Sequence, residues 1–426
     1  MRLFIRIFAI ALFIFSSKII SFASPYSSLF KVFNIFSNLY EGETGFNSLL
    51  IHPGGRIAGL NGAFTALSND ITFFETNPAG SATLKNTELA FFHNAWIADS
   101  HLDTISYSMR SGNLGYGSSL RCFYVPFTEY GFYGERLSSG YYSETFAIFN
   151  IAYNLFKGYK FKGISLGANI KFGITSFPPF QGQNAKEDIL SPKMRRLNAK
   201  AQMSFAFLAD FGIQFRWDFL KKFSSREPNV FLGLAIKNIG PPIKNEIAPA
   251  TASLGFAYRP FKVFTFSLDA SYPINILNFK RSGKPFFATG FMFGITKYFN
   301  LLTGFGVRGG NPRFTLGGEV NFLNVQITAN YTLDLTTQTT ALNHIILGAK
   351  IILGDRGRGL QEDKIEKMYL EGLKLYQEKE YENAIKIWEE ILSLNPRFTP
   401  AKDSIRSAKN MLLLQTELLK LDQSDW

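Results

Sequence analysis

Between residues 323 and 334 the side chains alternate without a break. Leu323, Val325, Ile327, Ala329, Tyr331 and Leu333 are apolar, and Asn324, Gln326, Thr328, Asn330, Thr332 and Asp334 between them are polar. A period of two is the period of a β-strand, so one face is apolar throughout and the other polar throughout. A soluble sandwich could contain one such strand. Here the pattern recurs in about fourteen segments, each near the ~10 residues that cross a bilayer as a tilted strand. They fall near residues 87–97, 102–110, 113–126, 142–155, 162–176, 200–217, 228–239, 250–260, 262–272, 284–297, 299–308, 313–321, 324–334 and 341–353. The pattern predicts a mainly β fold, a transmembrane antiparallel β-barrel with its apolar face toward lipid and its polar face toward the lumen.

Loop lengths supply an independent check. Ser111-Gly112 and residues 156–161, 259–261 and 297–300 are short and fall at one end, whereas 127–141, 177–199 and 273–283 are long and fall at the other. Outer-membrane barrels have short periplasmic turns and long external loops, and an even strand count returns both barrel ends to the periplasm. Aromatic residues make up 16% of the chain, with 45 Phe against 4 Trp, which suits lipid-facing strands and interfacial girdles.

The start of the chain reads as an export signal. Arg2 and Arg6 precede an apolar run over residues 7–15, and Ser21-Phe22-Ala23 offers small residues where a signal peptidase cuts, so residues 1–23 are expected to be removed. Lys18 and the short run argue against an uncleaved membrane anchor. Export with many alternating strands points to the outer membrane, with lipid as the barrel's surroundings.

From residue 53 to 85 the texture changes. Gly54, Gly55, Gly59 and Gly62 crowd a small-residue segment, followed by Asn69-Asp70, Phe73-Phe74 and then Asn77-Pro78-Ala79-Gly80. By itself Asn-Pro favours a turn, and Asn77 could serve only as its cap. The ordered string ahead of a barrel resembles the amino-terminal hatch of FadL-type long-chain fatty-acid transporters of the outer membrane. Further on, residues 233–241 and 254–258 resemble the same superfamily. The resemblance implies that residues 24–86 include a plug inside the lumen of a barrel spanning 87–353. It also implies passive passage of long-chain fatty acids or other hydrophobic compounds. The lateral opening of such transporters has no matching motif in the third strand.

A linker at 354–361, with Gly354, Gly357 and Gly359, ends the alternation, and helical periodicity follows over 362–426. Gly372, Tyr381, Ala384, Trp388 and Pro396 stand at the small, aromatic and terminating positions of a repeat that resembles the tetratricopeptide unit. One repeat plus one helix buries little, so this periplasmic segment is expected to dock on the barrel rim, on a second copy or on a periplasmic protein partner. From Glu362 onward it carries 13 acidic against 10 basic residues, in a chain with net charge +12. Nucleic acid is a poor partner for an exported barrel.

Motifs for catalysis or cofactors are lacking, and the chain is expected not to be an enzyme. Cys122 is a lone cysteine, and His52, His93, His101 and His344 share no metal-ligand spacing. Residues 304–309 fit G-x-G-x-x-G but lie in a strand, with no helix N-terminus to hold a phosphate. Alternation turns Arg121, Lys171 and Arg308 toward the lumen, with Phe123 on the same face as Arg121. These cations either meet the head group of an entering fatty acid, with Phe123 accepting its tail, or pair with lumenal acids. The rival function is a binding or assembly scaffold, or a secretion-accessory barrel, that recruits periplasmic partners through the repeat.

Overall fold

The computed structural model describes residues 44–424 apart from 98, 131–133, 135, 157–160, 182–197, 200–201, 224, 226, 244–245, 280–281 and 336–342. The expected signal peptide lies outside the described residues. The strands are β1 (Glu88–Ala95), β2 (His101–Ser111), β3 (Leu114–Tyr130), β4 (Arg136–Leu155) and β5 (Phe161–Phe177). A short ribbon, β6 (Phe180–Gln181) with β7 (Asn198–Ala199), lies in the next connection. Then come β8 (Gln202–Trp217), β9 (Val230–Ile239), β10 (Thr251–Phe261), β11 (Phe264–Pro273) and β12 (Phe286–Gly294). The last are β13 (Phe299–Arg308), β14 (Asn311–Phe322), β15 (Val325–Asp334) and β16 (His344–Ile352).

All but β6 and β7 form one closed barrel of fourteen antiparallel strands, each hydrogen-bonded to its neighbours in sequence. Closure comes from β1 against β16, with Glu88 opposite Ile352 and Ala95 opposite Ile345, so the wall has no open edge among the described residues. Burial is inverted relative to a soluble protein. On β15 the polar residues are the covered ones: Gln326, Thr328, Asn330 and Thr332 are buried, while Val325, Ile327 and Tyr331 are exposed. Phe149, Phe172, Phe205 and Leu347 continue the exposed apolar surface around the wall. That surface is what a bilayer, rather than water, would cover.

Two connections depart from the expected alternation of lengths. Gly309-Gly310, both at positive φ, turn β13 tightly into β14 at the long-loop end, as a two-residue hairpin turn requires. At the short-turn end, residues 218–229 form a long excursion, closed by Asn229, whose side chain bonds both the N–H and the carbonyl of Phe219. The expected loop at 127–141 is largely strand. β3 and β4 stay paired out to Tyr130 opposite Arg136, and across this extension the ring of Tyr124 meets that of Tyr141 edge-on.

Residues 44–84 run through the lumen. Thr44 bridges Ile247 in a connection at the long-loop end, and the segment leaves at the short-turn end into β1. It holds a short helix, α1 (Gly55–Gly59), and 3-10 turns at Asn47–Leu50, Ile71–Glu75 and Pro78–Thr83. After β16, three helices follow: α2 (Arg358–Gln377), α3 (Tyr381–Leu394) and α4 (Thr399–Ser424). Helix α2 begins inside the stretch expected to be linker. Asp355 starts it by accepting from the N–H groups of Gly357 and Gly359, which hold its carboxyl below the usual carboxylate range. Among the expected repeat-core residues, Gly372, Tyr381, Ala384 and Trp388 are buried together, and Pro396 lies just past the end of α3. A Cβ on Gly372 would crowd the Trp388 indole nitrogen, so glycine is what lets α2 meet that ring.

Candidate functional site

A fourteen-stranded barrel is wider than one its own side chains can fill, and larger porins of similar build hold a water channel. Here the lumen is occupied by the hatch. Ile57, Leu60, Phe64, Leu67, Phe73 and Phe74 are almost wholly buried, in clusters completed by the wall residues Phe92, Phe146, Phe231 and Leu302. Because this segment is mostly irregular, its backbone groups need partners that helix or sheet would otherwise supply. The wall supplies them. Asn150 donates to the Pro78 carbonyl at 2.9 Å, Asn169 to Phe74 at 3.2 Å, and Asn330 to Gly55 at 3.0 Å. Gln214 donates to both Ala66 and Leu67, and Asp269 accepts from the N–H groups of Phe64 and Thr65.

The Asn77-Pro78-Ala79-Gly80 string acts as cap and anchor at once. The Asn77 carboxamide oxygen accepts from Ala79 N–H at 3.1 Å, and its nitrogen donates to Thr65 in the hatch and Ile213 on β8. Pro78 opens the turn, and Gly80 lets it pack on the Ser68 carbonyl, which a Cβ would approach to 2.4 Å. Close approach also runs in the opposite direction. On the wall, an added Cβ at Gly115 would lie 2.2 Å from the Ser81 carbonyl carbon, and one at Gly304 would lie 2.4 Å from that of Leu60. Gly167 and Gly233 are pressed against hatch backbone in the same way. A belt of inward glycines therefore fits the barrel to this plug.

The cations singled out from the sequence sit in three different settings. Arg121 is buried and donates to Glu75 at 2.5 Å and to the carbonyls of Ser48 and Ile51, so its charge is committed to the hatch. Lys171 is buried against Asp210 at 2.8 Å and Asn238 at 2.7 Å. Arg308 donates to the Leu50 carbonyl at 3.1 Å and lies over the Phe286 ring. Phe123 is half-buried on the inward face of β3. The three cations do not converge. Arg308 lines a cavity of about 100 Å³ between the hatch and the long-loop end of the wall, and Arg121, Lys171 and Phe123 do not. Leu49, Phe286 and Ile346 give that cavity apolar surface, and His52, Glu75, Lys237, Asp269, Arg313 and His344 line it with Arg308 as charged or polar groups.

Sequence reasoning missed the acids that hold the hatch. Glu319 accepts two bonds from Arg56, at 2.7 and 2.8 Å, and Lys350 lies 3.6 Å from Glu88 and 3.8 Å from Asp70. Alternation could have turned Glu319 and Lys350 inward, but nothing local pairs Glu319 with a residue 263 positions earlier.

A UPF0164 protein of Treponema pallidum (strain Nichols) is 32% identical over 400 residues, covering 90% of this chain and 87% of its own length. A second UPF0164 protein of the same organism is 28% identical over 408 residues, covering 89% and 78%. Among solved structures, the Ralstonia pickettii toluene transporter TbuX is similar with TM-score 0.48 at 10% identity, over 71% of this chain and 98% of that one. The Pseudomonas putida toluene transporter TodX is similar with TM-score 0.47 at 12% identity, over 71% and 97%. A model of the Uncharacterised protein family (UPF0164) matches residues 21–356, and the chain belongs to that family.

Proposed function

We propose that this chain passes hydrophobic compounds across the outer membrane through a hatch-plugged barrel, with long-chain fatty acids as the ligand class that its sequence resemblance suggests. The observation that carries this reading is a cavity of mixed apolar and polar lining, held between a fitted plug and the long-loop end. A general porin has no need of a plug. An apolar cavity of about 150 Å³ holds a benzene-sized molecule, so one of about 100 Å³ with a mixed lining takes no more than a small fragment with a polar end as it stands. A long acyl tail requires the hatch to shift. In this reading Arg308 meets the polar end of an entering ligand, whereas Arg121 holds the hatch in place and Lys171 pairs with Asp210 of the wall.

The test is uptake by vesicles reconstituted with the full chain, using labelled toluene and labelled oleate. Uptake above empty vesicles is expected, with an Arg308→Gln variant losing on the order of tenfold in apparent affinity for oleate and little for toluene. Equal rates in vesicles with and without the protein would overturn the proposal.

In the same reading the long loops are external and the helical segment is periplasmic. The latter adjoins the short-turn end, where Arg358 donates to the backbone of Arg110 at 2.7 Å and Arg397 lies over the Phe156 ring. A tag following residue 424 should stay hidden from antibody on intact cells and become accessible after the outer membrane is opened. Labelling of intact cells would reverse the orientation. The scaffold reading is favoured by one observation, the exposed Met411, Leu413 and Leu414 on α4. Stoichiometric co-purification of a periplasmic protein, lost on deleting α4, would support it.

A further inference from the structure

We infer that the short-turn mouth of the barrel, beneath the hatch, is a binding site for an oxyanion head group, formed by Arg110, Arg216 and Arg358. This deepens the transport reading, and rests on it, by naming a charge that the ligand carries as it leaves. Arg110 on β2 and Arg216 on β8 both occupy inward positions near the ends of their strands. The turn at Pro78–Thr83 packs against β2, β3, β4, β5 and β8, so both arginines border the same part of the hatch. Arg358, at the start of α2, reaches the same mouth and donates to the carbonyls of Arg110 and Lys85.

Other lumenal cations are paired with acids. Arg56, Arg121, Lys171 and Lys350 each face a buried carboxylate within 4 Å. Arg110 and Arg216 have no such partner among the described residues. Arg216 is 8% exposed, and among those residues its side chain makes a single hydrogen bond, from Nη2 to the Lys162 carbonyl at 3.1 Å. Arg110 makes one long bond, 3.4 Å, to the Ala82 carbonyl. The Nε atoms of Arg110, Arg216 and Arg358 are all buried and unpartnered. Arg259 and Lys85 nearby share Glu227, Asp355 and Glu362 are the acids whose charge acts on Arg358, and Glu362 acts on Arg110 as well.

A guanidinium keeps its charge, so a buried one without a counter-charge is costly, and five N–H donors in a plane match a carboxylate or phosphate. Cations at the hatch level already hold their acids. Those at the mouth present donors to whatever arrives beneath the plug, and an anion that docks there relieves the repulsion among them. A carboxylate on a departing amphiphile and a free phosphate share this chemistry.

The experiment uses the full chain in uncharged maltoside micelles and measures equilibrium binding of laurate, of dodecanol and of inorganic phosphate. Laurate should bind more tightly than dodecanol. Arg110→Gln and Arg216→Gln should each weaken laurate by about tenfold and leave dodecanol unchanged, with partial recovery in Arg216→Lys. Arg358→Gln alters no strand, so it keeps the proposal testable if a wall variant fails to fold, and a threefold or greater loss of laurate affinity is expected. Competition by phosphate against laurate supports one oxyanion site for both sources. Phosphate binding alone supports the site but removes the substrate from it. Equal affinity of laurate and dodecanol in the native chain, with no phosphate binding, overturns the inference. Toluene uptake in the vesicle assay separates the two ideas: if it persists without anion binding, the site alone fails. If uptake is absent while anion binding is present, the transport reading fails.

Discussion

Gly304→Val and Gly115→Val should each convert a closed barrel into a conducting one. In planar bilayers we expect a conductance rise on the order of tenfold, toward that of a barrel whose lumen holds water. The reason is steric. The new Cβ would lie within 2.4 Å of hatch backbone at either position, and backbone packed between strands has nowhere to yield locally. The strands are held by ladders on both sides, whereas the hatch is held by side-chain bonds and burial, so the hatch is the part that moves. Gly318→Ala is the control. It faces outward, where the added methyl meets only the ring of Phe299 at 3.2 Å, and conductance should not change. Deleting residues 54–85 should give an upper limit to the effect. A barrel that folds with Val at both positions and stays closed would show that the segment does not plug the lumen.

Arg121→Met should cost about 3–5 kcal/mol in urea unfolding, the usual penalty for leaving one member of a buried ion pair without its partner. Glu75 would then face the lumen wall uncompensated, and the carbonyls of Ser48 and Ile51 would lose their donor. The double variant Arg121→Met with Glu75→Met should recover most of the loss, because two apolar side chains need no counter-charge. Independent, additive losses would mean that the two side chains do not depend on one another in the folded barrel. This pair ranks above the exposed ion pairs of α2, such as Lys374 with Glu378, which face water and contribute little.

The barrel could be read from the sequence because strand alternation is local. On Val325–Asp334, each residue's class matches its side of the wall, and no distant partner is needed to know which way it points. The inward facing of Arg121 and Lys171 followed from the same rule. Lengths of connections were less legible. The paired extension of β3 and β4 past residue 126 depends on which residues meet across the hairpin, and the tight Gly309-Gly310 turn broke the rule of long external loops.

What the inward residues do was decided only by the tertiary structure. Alternation showed a cation at 121 facing the lumen, but whether it meets a ligand or Glu75 depends on a contact across 46 residues. The inward glycines carry no signal in a strand pattern, since a missing side chain has no hydropathy to alternate. Their meaning appears when hatch backbone is laid against them. The Asn77-Pro78 turn was visible locally as a cap, while its bond to Ile213 on β8 was not. Strand identity rests on near-neighbour spacing. The fit of plug to wall rests on pairs brought together only when the barrel closes, and a single sequence does not encode those pairs in any local pattern.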